Sequence, residues 1–390
     1  MEGQRPLTPP SYEGQEGYKG QGFGSRIRPM GRIITSLVAN AYKFLVRPIL
    51  FRHDPEIAHQ KITALGEMLV KRQFVLSIVR SLFGTRNLNL KKVVAGIEFP
   101  SPIGLAAGFD YQAKLPWVLD ALGFGFATVG TITNLPCSGN PRPWLGRLVK
   151  SQSLLINKGF KNDGIVKTLP RLRHLPPEMP VGLSIGQTNS PKIDTEKRAI
   201  EDVVACFTYA ESHPHQCRYY ELNISCPNVQ KHISFYTPAS LSQLLERLEK
   251  INISRPVFIK CPISVTDEEL IDIAETASKF SFISGLVIGN LQRDRHHPSL
   301  YKEELAKCGP GNFSGRPTRD RSTELIKLIR SKFGARFAII GCGGVFSVED
   351  AQVKFAAGAD LVQLITGLIF KGPQLVAEIH KKLLKETPRP

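Results

Sequence analysis

The chain has 390 residues, 42% of them hydrophobic and 22% charged, which excludes a disordered or fibrous protein and allows a large buried core. Its seven cysteines, at 137, 206, 217, 226, 261, 308 and 342, form no CxxC pair and no metal-ligand spacing, so a disulfide framework or a zinc site is excluded and a reducing compartment is expected. The net charge of +17 implies an anionic partner (a phosphate cofactor, an acidic substrate, a phospholipid surface or nucleic acid) without choosing among them.

Residues 1–30 are rich in Gly, Gln and Pro, almost without aliphatic side chains, and are expected to be a disordered tail. Glu2, Glu13 and Glu16 argue against an ordinary mitochondrial presequence, and no secretory signal is visible. The stretch Ile33 to Phe51 is apolar but carries Lys43, Arg47 and Pro48, which makes it a poor membrane span and a better interfacial segment. Asp54-Pro55-Glu56 reads as an N-cap, a first-turn proline and an early acid. Ala58, Ile62, Leu65 and Leu69 then form an apolar stripe at helical spacing, and a second apolar run, Phe74 to Phe83, ends at Gly84. With Arg52, Lys61, Lys71, Arg72 and Arg80 around these runs, residues 31–86 read as a helical membrane-docking domain. Simple packing of both helices on the main domain is the alternative, weakened because so small a pair has few places to hide both faces.

Residues 87–390 change to alternating short strands and amphipathic helices. Strands are expected near 103–107, 126–130, 181–186, 219–223, 256–260, 284–289, 337–341 and 360–365. Helices are expected near 112–122, 163–173, 196–212, 238–250, 266–279, 321–332, 347–357 and 373–386. The strands are apolar on both faces, as a buried parallel sheet requires, and eight such units predict an α/β fold, a (β/α)8 TIM barrel behind a small N-terminal helical domain. Functional residues are then expected at the C-terminal strand ends.

The strand ends carry the chemistry. Ala106-Ala107-Gly108-Phe109-Asp110 follows the first, where small residues admit a flat cofactor. Gly130-Thr131 follows the second, before an insertion containing Gly139-Asn140-Pro141-Arg142-Pro143 and Ile156-Asn157-Lys158-Gly159-Phe160. After the fourth comes Asn223-Ile224-Ser225-Cys226-Pro227-Asn228, in which two amides can grip a planar ring bearing carbonyl and N–H groups and one thiol can take a proton from it. A buried structural cysteine is the bland alternative for an isolated Cys-Pro pair. Lys260 closes the fifth strand and points a cation into the barrel mouth, unless it simply reaches solvent. The sixth ends in Gly289-Asn290, followed by Phe313-Ser314-Gly315-Arg316-Pro317. Gly341-Cys342-Gly343-Gly344 and Ile365-Thr366-Gly367 close the last two; either alone reads as a turn, but together, in those two units, they read as a phosphate cradle.

From about residue 42 to 386 these motifs, as a set, resemble the dihydroorotate dehydrogenases, FMN enzymes of pyrimidine synthesis. Arg47-Pro48, Asp54-Pro55-Glu56-Ile57-Ala58-His59, Gly139 to Pro143 and Phe370-Lys371-Gly372-Pro373 resemble the membrane-associated class 2 members, whose N-terminal helices form a quinone tunnel. The resemblance implies oxidation of dihydroorotate to orotate, with electrons passed to a membrane quinone. It also implies a peripheral location on the anionic phospholipid surface of a bacterial or mitochondrial inner membrane, with no metal and no nucleic-acid partner. FMN would be held by Ala106, Ala107, Gly108, Gly130, Thr131, Asn157, Ser184, Asn223, Gly289, Gly315, Gly343, Gly344, Ile365 and Thr366, with Lys260 beside its N1–O2 edge. The substrate would meet Tyr111, Asn157, Gly159, Phe160, Asn223, Asn228, Asn290 and Leu291, and Cys226 would remove its C5 proton.

The departures from the family pattern cluster in one pocket. Class 2 members carry a serine base, and cysteine is the habit of the soluble class 1; a thiol of pKa ~8.5 loses its proton more readily, which is expected to extend activity to lower pH. The lysine expected after Gly-Phe-Asp, partner of the substrate carboxylate, is Tyr111, with Lys114 one helical turn away. Leu291 replaces a threonine, Ser184 an asparagine, and Gln187 stands where lysine is common. Two rival readings follow: a tRNA dihydrouridine synthase-like or other dihydropyrimidine enzyme, opposed by the lack of an RNA-binding module after the barrel, and a flavin-binding membrane protein with impaired catalysis.

Overall fold

The computed structural model describes residues 36–84, 88–228 and 233–386; the tail expected over residues 1–30 lies outside them. Residues 36–41 are helical and run through one π-helical turn, Tyr42–Val46, into α1 (Arg47–Arg52). α2 (Pro55–Val70) opens as its sequence dictates: Asp54 Oδ1 accepts from the amides of Glu56 at 2.9 Å and Ile57 at 3.1 Å, and Pro55 takes the first helical position. α3 (Gln73–Phe83) follows. Among the described residues no helix is long and apolar enough to cross a membrane.

Eight parallel strands close a barrel: β1 (Ile103–Leu105), β2 (Phe126–Ile132), β3 (Val181–Ile185), β4 (Tyr219–Asn223), β5 (Val257–Cys261), β6 (Ile283–Ile288), β7 (Ala338–Cys342) and β8 (Leu361–Leu364). Each pairs with its sequence neighbour, and β8 closes on β1 through Val362 opposite Ile103. The barrel interior is filled by alternating large and small residues. A Cβ on Gly104 would lie 2.4 Å from the Phe126 ring, one on Gly182 2.1 Å from Tyr219, and one on Gly285 2.6 Å from Phe258. Phe99, from the hairpin Lys92–Val94/Ile97–Phe99, joins these rings and seals the N-terminal end of the barrel. Above that apolar plug the polarity rises: Thr128 Oγ1 accepts from Gln363 Nε2 at 2.6 Å and meets Tyr219 Oη at 2.8 Å. The site therefore sits on a filled, rigid core.

Two expected helices are shorter than their apolar patterns. The one over 112–122 covers only Pro116–Ala121, because the Asp110 carboxylate accepts from the amides of Lys114 and Leu115, both at 2.8 Å, and ties the preceding loop into a turn. The one over 163–173 splits at Pro170 into Ile165–Thr168 and a 3₁₀ turn, Leu169–Arg173. A short helix at Thr366–Lys371 follows β8, where only a glycine loop was expected. Within the insertion after β2, Ser153–Ile156 pairs antiparallel with Leu145–Leu148 on one side and Asn312–Gly315 on the other, and this small sheet stands over the barrel mouth.

The N-terminal helices are bolted to that end of the barrel. Tyr42 Oη donates to the Ile369 carbonyl at 2.6 Å and Arg47 to that of Phe370 at 3.1 Å. Arg147 donates to the carbonyls of Phe51 and His53, and Arg80 pairs with Asp120 at 2.6 Å. Their opposite face stays open: Leu37, Phe44, Leu45, Ile49, Leu65 and Phe74 are all exposed.

Candidate active site

A cavity of about 170 Å³ opens at the C-terminal strand ends, and a smaller one of about 80 Å³ adjoins it through shared walls at Ala107, Lys260, Asn290, Ile365 and Thr366. The larger is lined by Gly108, Tyr111, Gly130, Thr131, Gly159 and Phe160 on one side, and by Asn223, Cys226, Asn228 and Leu291 on the other. The smaller collects Ala106, Gly289, Gly315, Gly343 and Gly344. Asn157 and Ser184, both expected at the cofactor, line neither. The Asn157 amide donates to the carbonyls of Pro141 and Pro143 and accepts from Asn140, fixing the insertion loop. Ser184 lies one layer beneath the cavity, fully buried.

That lower layer sets the charge of the floor. Glu221 and Lys260, neighbours on β4 and β5, form a buried ion pair at 3.5 Å. Glu221 Oε1 also accepts from Ser184 Oγ at 2.8 Å; Ser184 meets Thr131 Oγ1 at 2.9 Å, which accepts from Asn223 Nδ2 at 2.7 Å. Burial is the largest single effect and works against the Lys260 ammonium, but Glu221, together with Cys342 and Cys226, outweighs it and holds the lysine above its ordinary value. Lys260 is thus a permanent cation at the cavity floor, with donors to spare.

Above the floor, short polar bonds fix the amides around Cys226. Asn290 Nδ2 donates to Ser225 Oγ at 2.5 Å, and Ser225 Oγ donates to Asn223 Oδ1 at 2.9 Å. Asn312 Nδ2 donates to Asn228 Oδ1 at 2.6 Å, and Asn140 Nδ2 to the Asn228 carbonyl at 2.8 Å. Cys226 is half-buried and lines this cavity and a smaller one beside it. Burial pushes its thiol up to about 12, against the opposing pull of the Asn228 amide and of Lys260. The low-pH advantage expected of a thiol is therefore not what this pocket supplies.

Tyr111 stacks on His59 of α2, with ring centroids 5.4 Å apart and planes 16° from parallel, and Lys158 sets its ammonium 4.0 Å from the centroid of the Tyr111 ring. Lys158 pairs with Glu56 of α2 at 3.2 Å. Lys114, the nearest candidate to replace the missing lysine, turns outward to Glu67 at 3.0 Å. His59 Nε2 meets the Phe109 carbonyl at 2.8 Å; burial, and then Lys158, pull its imidazole down to about 4, so the ring is neutral.

Beyond His59 and Phe109 a second large cavity, about 470 Å³, runs between the N-terminal helices and the barrel. Its walls include Val38, Ala58, Ile62, Val118 and Leu368, with Tyr42, His59 and Arg147 as polar points. His59, Phe109, Leu145, Leu154 and Ile369 line both this cavity and the one at the strand ends.

These walls fit a flavin mononucleotide. Gly343 and Gly344, which line the smaller cavity, have φ of +111° and +69°, and a Cβ on Gly344 would lie 2.3 Å from Arg319 Cβ, so only glycine lets this loop pack where it does. Lys260 supplies a cation where a flat ring's electron-rich edge would rest, and Ala107 and Gly108 give that ring backbone to lie on. Reasoning from sequence missed Glu221, His59, Lys158 and Asn312. Glu221 alone left a signal, a carboxylate in an otherwise apolar strand.

A family profile described as dihydroorotate dehydrogenase matches residues 89–386. A protein named dihydroorotate dehydrogenase (quinone) from Christiangramia forsetii is 36% identical over 351 residues, covering 88% of this chain and 99% of its own. Another of that name from Brucella anthropi is 39% identical, covering 90% and 93%. The crystal structure of the ligand-free enzyme of this name from Eimeria tenella matches with a TM-score of 0.72 and 25% identity, covering 85% of this chain and 94% of that one. With its barrel, its strand-end residues and these relatives in agreement, the chain belongs to the dihydroorotate dehydrogenase family.

Proposed function

We propose that the protein oxidises (S)-dihydroorotate to orotate with FMN as cofactor and passes the electrons to a membrane quinone. The observation that carries this reading is a thiol held among asparagine amides over a buried lysine–glutamate floor, in a cavity that shares a wall with an apolar chamber under the N-terminal helices. FMN, when bound, would supply the two-electron acceptor for the C6 hydride and the relay of those electrons to the quinone. The chain's own residues do the rest. Asn223, Asn228 and Asn290 pair with the ring's carbonyl and N–H groups and present C5 to Cys226. Cys226 takes the C5 proton as a general base, which requires the thiolate. Gly343 and Gly344 would offer amides to the cofactor's phosphate, and Lys260 would hold negative charge at the cavity floor.

The apolar chamber is the right chemistry for a quinone. Its walls are aliphatic and aromatic, with Arg147 and neutral His59 as hydrogen-bonding points. Residues 31–86 serve as the docking unit: the exposed Phe44, Leu45, Ile49 and Phe74 meet the acyl layer while Lys43, Arg52 and Arg72 meet anionic headgroups of a bacterial or mitochondrial inner membrane. Ala58 is buried and lines the chamber, so Ala58→Trp fills it. Steady-state assays should then lose most turnover with a short-chain quinone and keep dihydroorotate-driven reduction of a soluble dye. Equal loss with both acceptors would contradict the chamber's role.

A further inference from the structure

Tyr111 stands where the family pattern calls for a cation facing the substrate, and Lys158 fills the deficit. Lys158 comes from the loop after Ser153–Ile156, is 13% exposed, and lines the same cavity as Cys226, Asn223 and Asn290. Of the other lysines, Lys260 lies at the floor in its pair with Glu221, Lys114 turns outside to Glu67, and Lys161, which lines the same cavity, rests on the face of Trp144, 3.9 Å from its centroid. Tyr111, in ring contact with both His59 and Lys158, is a shelf that steers the ammonium rather than a ligand in its place.

We propose that Lys158 is the residue that selects the substrate's carboxylate, with Glu56 of α2 as the counter-ion that holds the ammonium ready. This rests on reading the site as a dihydroorotate pocket. Dihydroorotate differs from a neutral dihydropyrimidine by one carboxylate on C6, and an enclosed ammonium discriminates strongly between the two. Lys158 has three donors and one carboxylate neighbour, so it can accept a second anion. Burial draws its pKa down to about 8 against the pull of Glu56, so an arriving carboxylate meets a cation whose charge is under-compensated. Because Glu56 belongs to the N-terminal unit, the specificity element is shared between the helices and the barrel.

The test is binding of orotate and of uracil, which lacks the carboxylate, to the full-length FMN-loaded protein, followed by perturbation of the flavin absorbance. Lys158→Gln should weaken orotate roughly 10- to 100-fold, the loss of one charge-assisted bond, and leave uracil within about twofold. Adding Tyr111→Lys to Lys158→Gln should restore orotate, because it returns a cation to the same shelf, whereas Lys114→Gln should change nothing. Equal weakening of orotate and uracil would mean that Lys158 only props the loop, and orotate binding undiminished in Lys158→Gln would overturn the assignment outright. A wild-type protein that binds uracil as well as orotate would remove the pocket reading, and Lys158's role with it; that failure shows before any variant is made.

Discussion

Cys226 shows how surroundings rather than residue type decide reactivity. A free thiol is more acidic than a serine hydroxyl by several pK units, yet its enclosure here raises it to about 12. The active species is the thiolate, whose fraction grows with pH below that value. At saturating dihydroorotate, turnover should therefore climb steadily across pH 7 to 9, and a saturated pH–rate profile that levels off below pH 8 would contradict this. Cys226→Ala should reduce the rate of flavin bleaching by roughly 10²- to 10⁴-fold while orotate still binds, as measured by stopped-flow absorbance. The Asn-Cys-Asn loop stood out in the sequence because three polar side chains that line one cavity fall within six residues. Lys158 and His59 did not, since their significance depends on Tyr111, which folding brings to them from distant parts of the chain.

At the level of elements, the strands were readable because each is buried on both faces and its composition says so. The limits of the helices were less so. Asp110 shortens one by capping amides that a periodicity argument assigns to it, and Pro170 divides another. The short helix Thr366–Lys371 hid behind a glycine motif that also fits a phosphate loop. What pattern could not show at all is the pairing of size across strands, in which Gly182 makes room for the Tyr219 ring. Gly182→Ala should cost about 1–3 kcal/mol by thermal or chemical unfolding, since the ring cannot move within a filled barrel. An unchanged melting temperature would mean that the interior is looser than its contacts suggest.

Across the whole molecule, charge and apolar surface are divided between two units. The barrel buries its chemistry, while the N-terminal helices expose aliphatic and aromatic side chains beside basic ones. The fold also carries a built-in acid lability. His380, on the C-terminal helix, is completely buried with both ring nitrogens unpartnered, and burial lowers its pKa to about 4. The unfolded chain takes up a proton near pH 6.5 and the folded one does not until about 4, so stability is full above 6.5 and falls as pH drops between those values. The loss from this residue alone is about 3 kcal/mol, and His380→Leu should remove it, leaving melting temperatures flatter between pH 6.5 and 5. A variant whose acid sensitivity matches the parent would assign that loss to other groups, such as the similarly depressed His215.

One anaerobic experiment bears on cofactor, substrate and base together: titration of the purified protein with dihydroorotate, following the flavin band near ~450 nm. A yellow protein whose band bleaches stoichiometrically, and fails to do so at a comparable rate in Cys226→Ala, is the result expected. A flavin that stays oxidised in the presence of excess dihydroorotate would contradict it, and would mean that Tyr111 and Leu291 have turned this barrel away from that substrate.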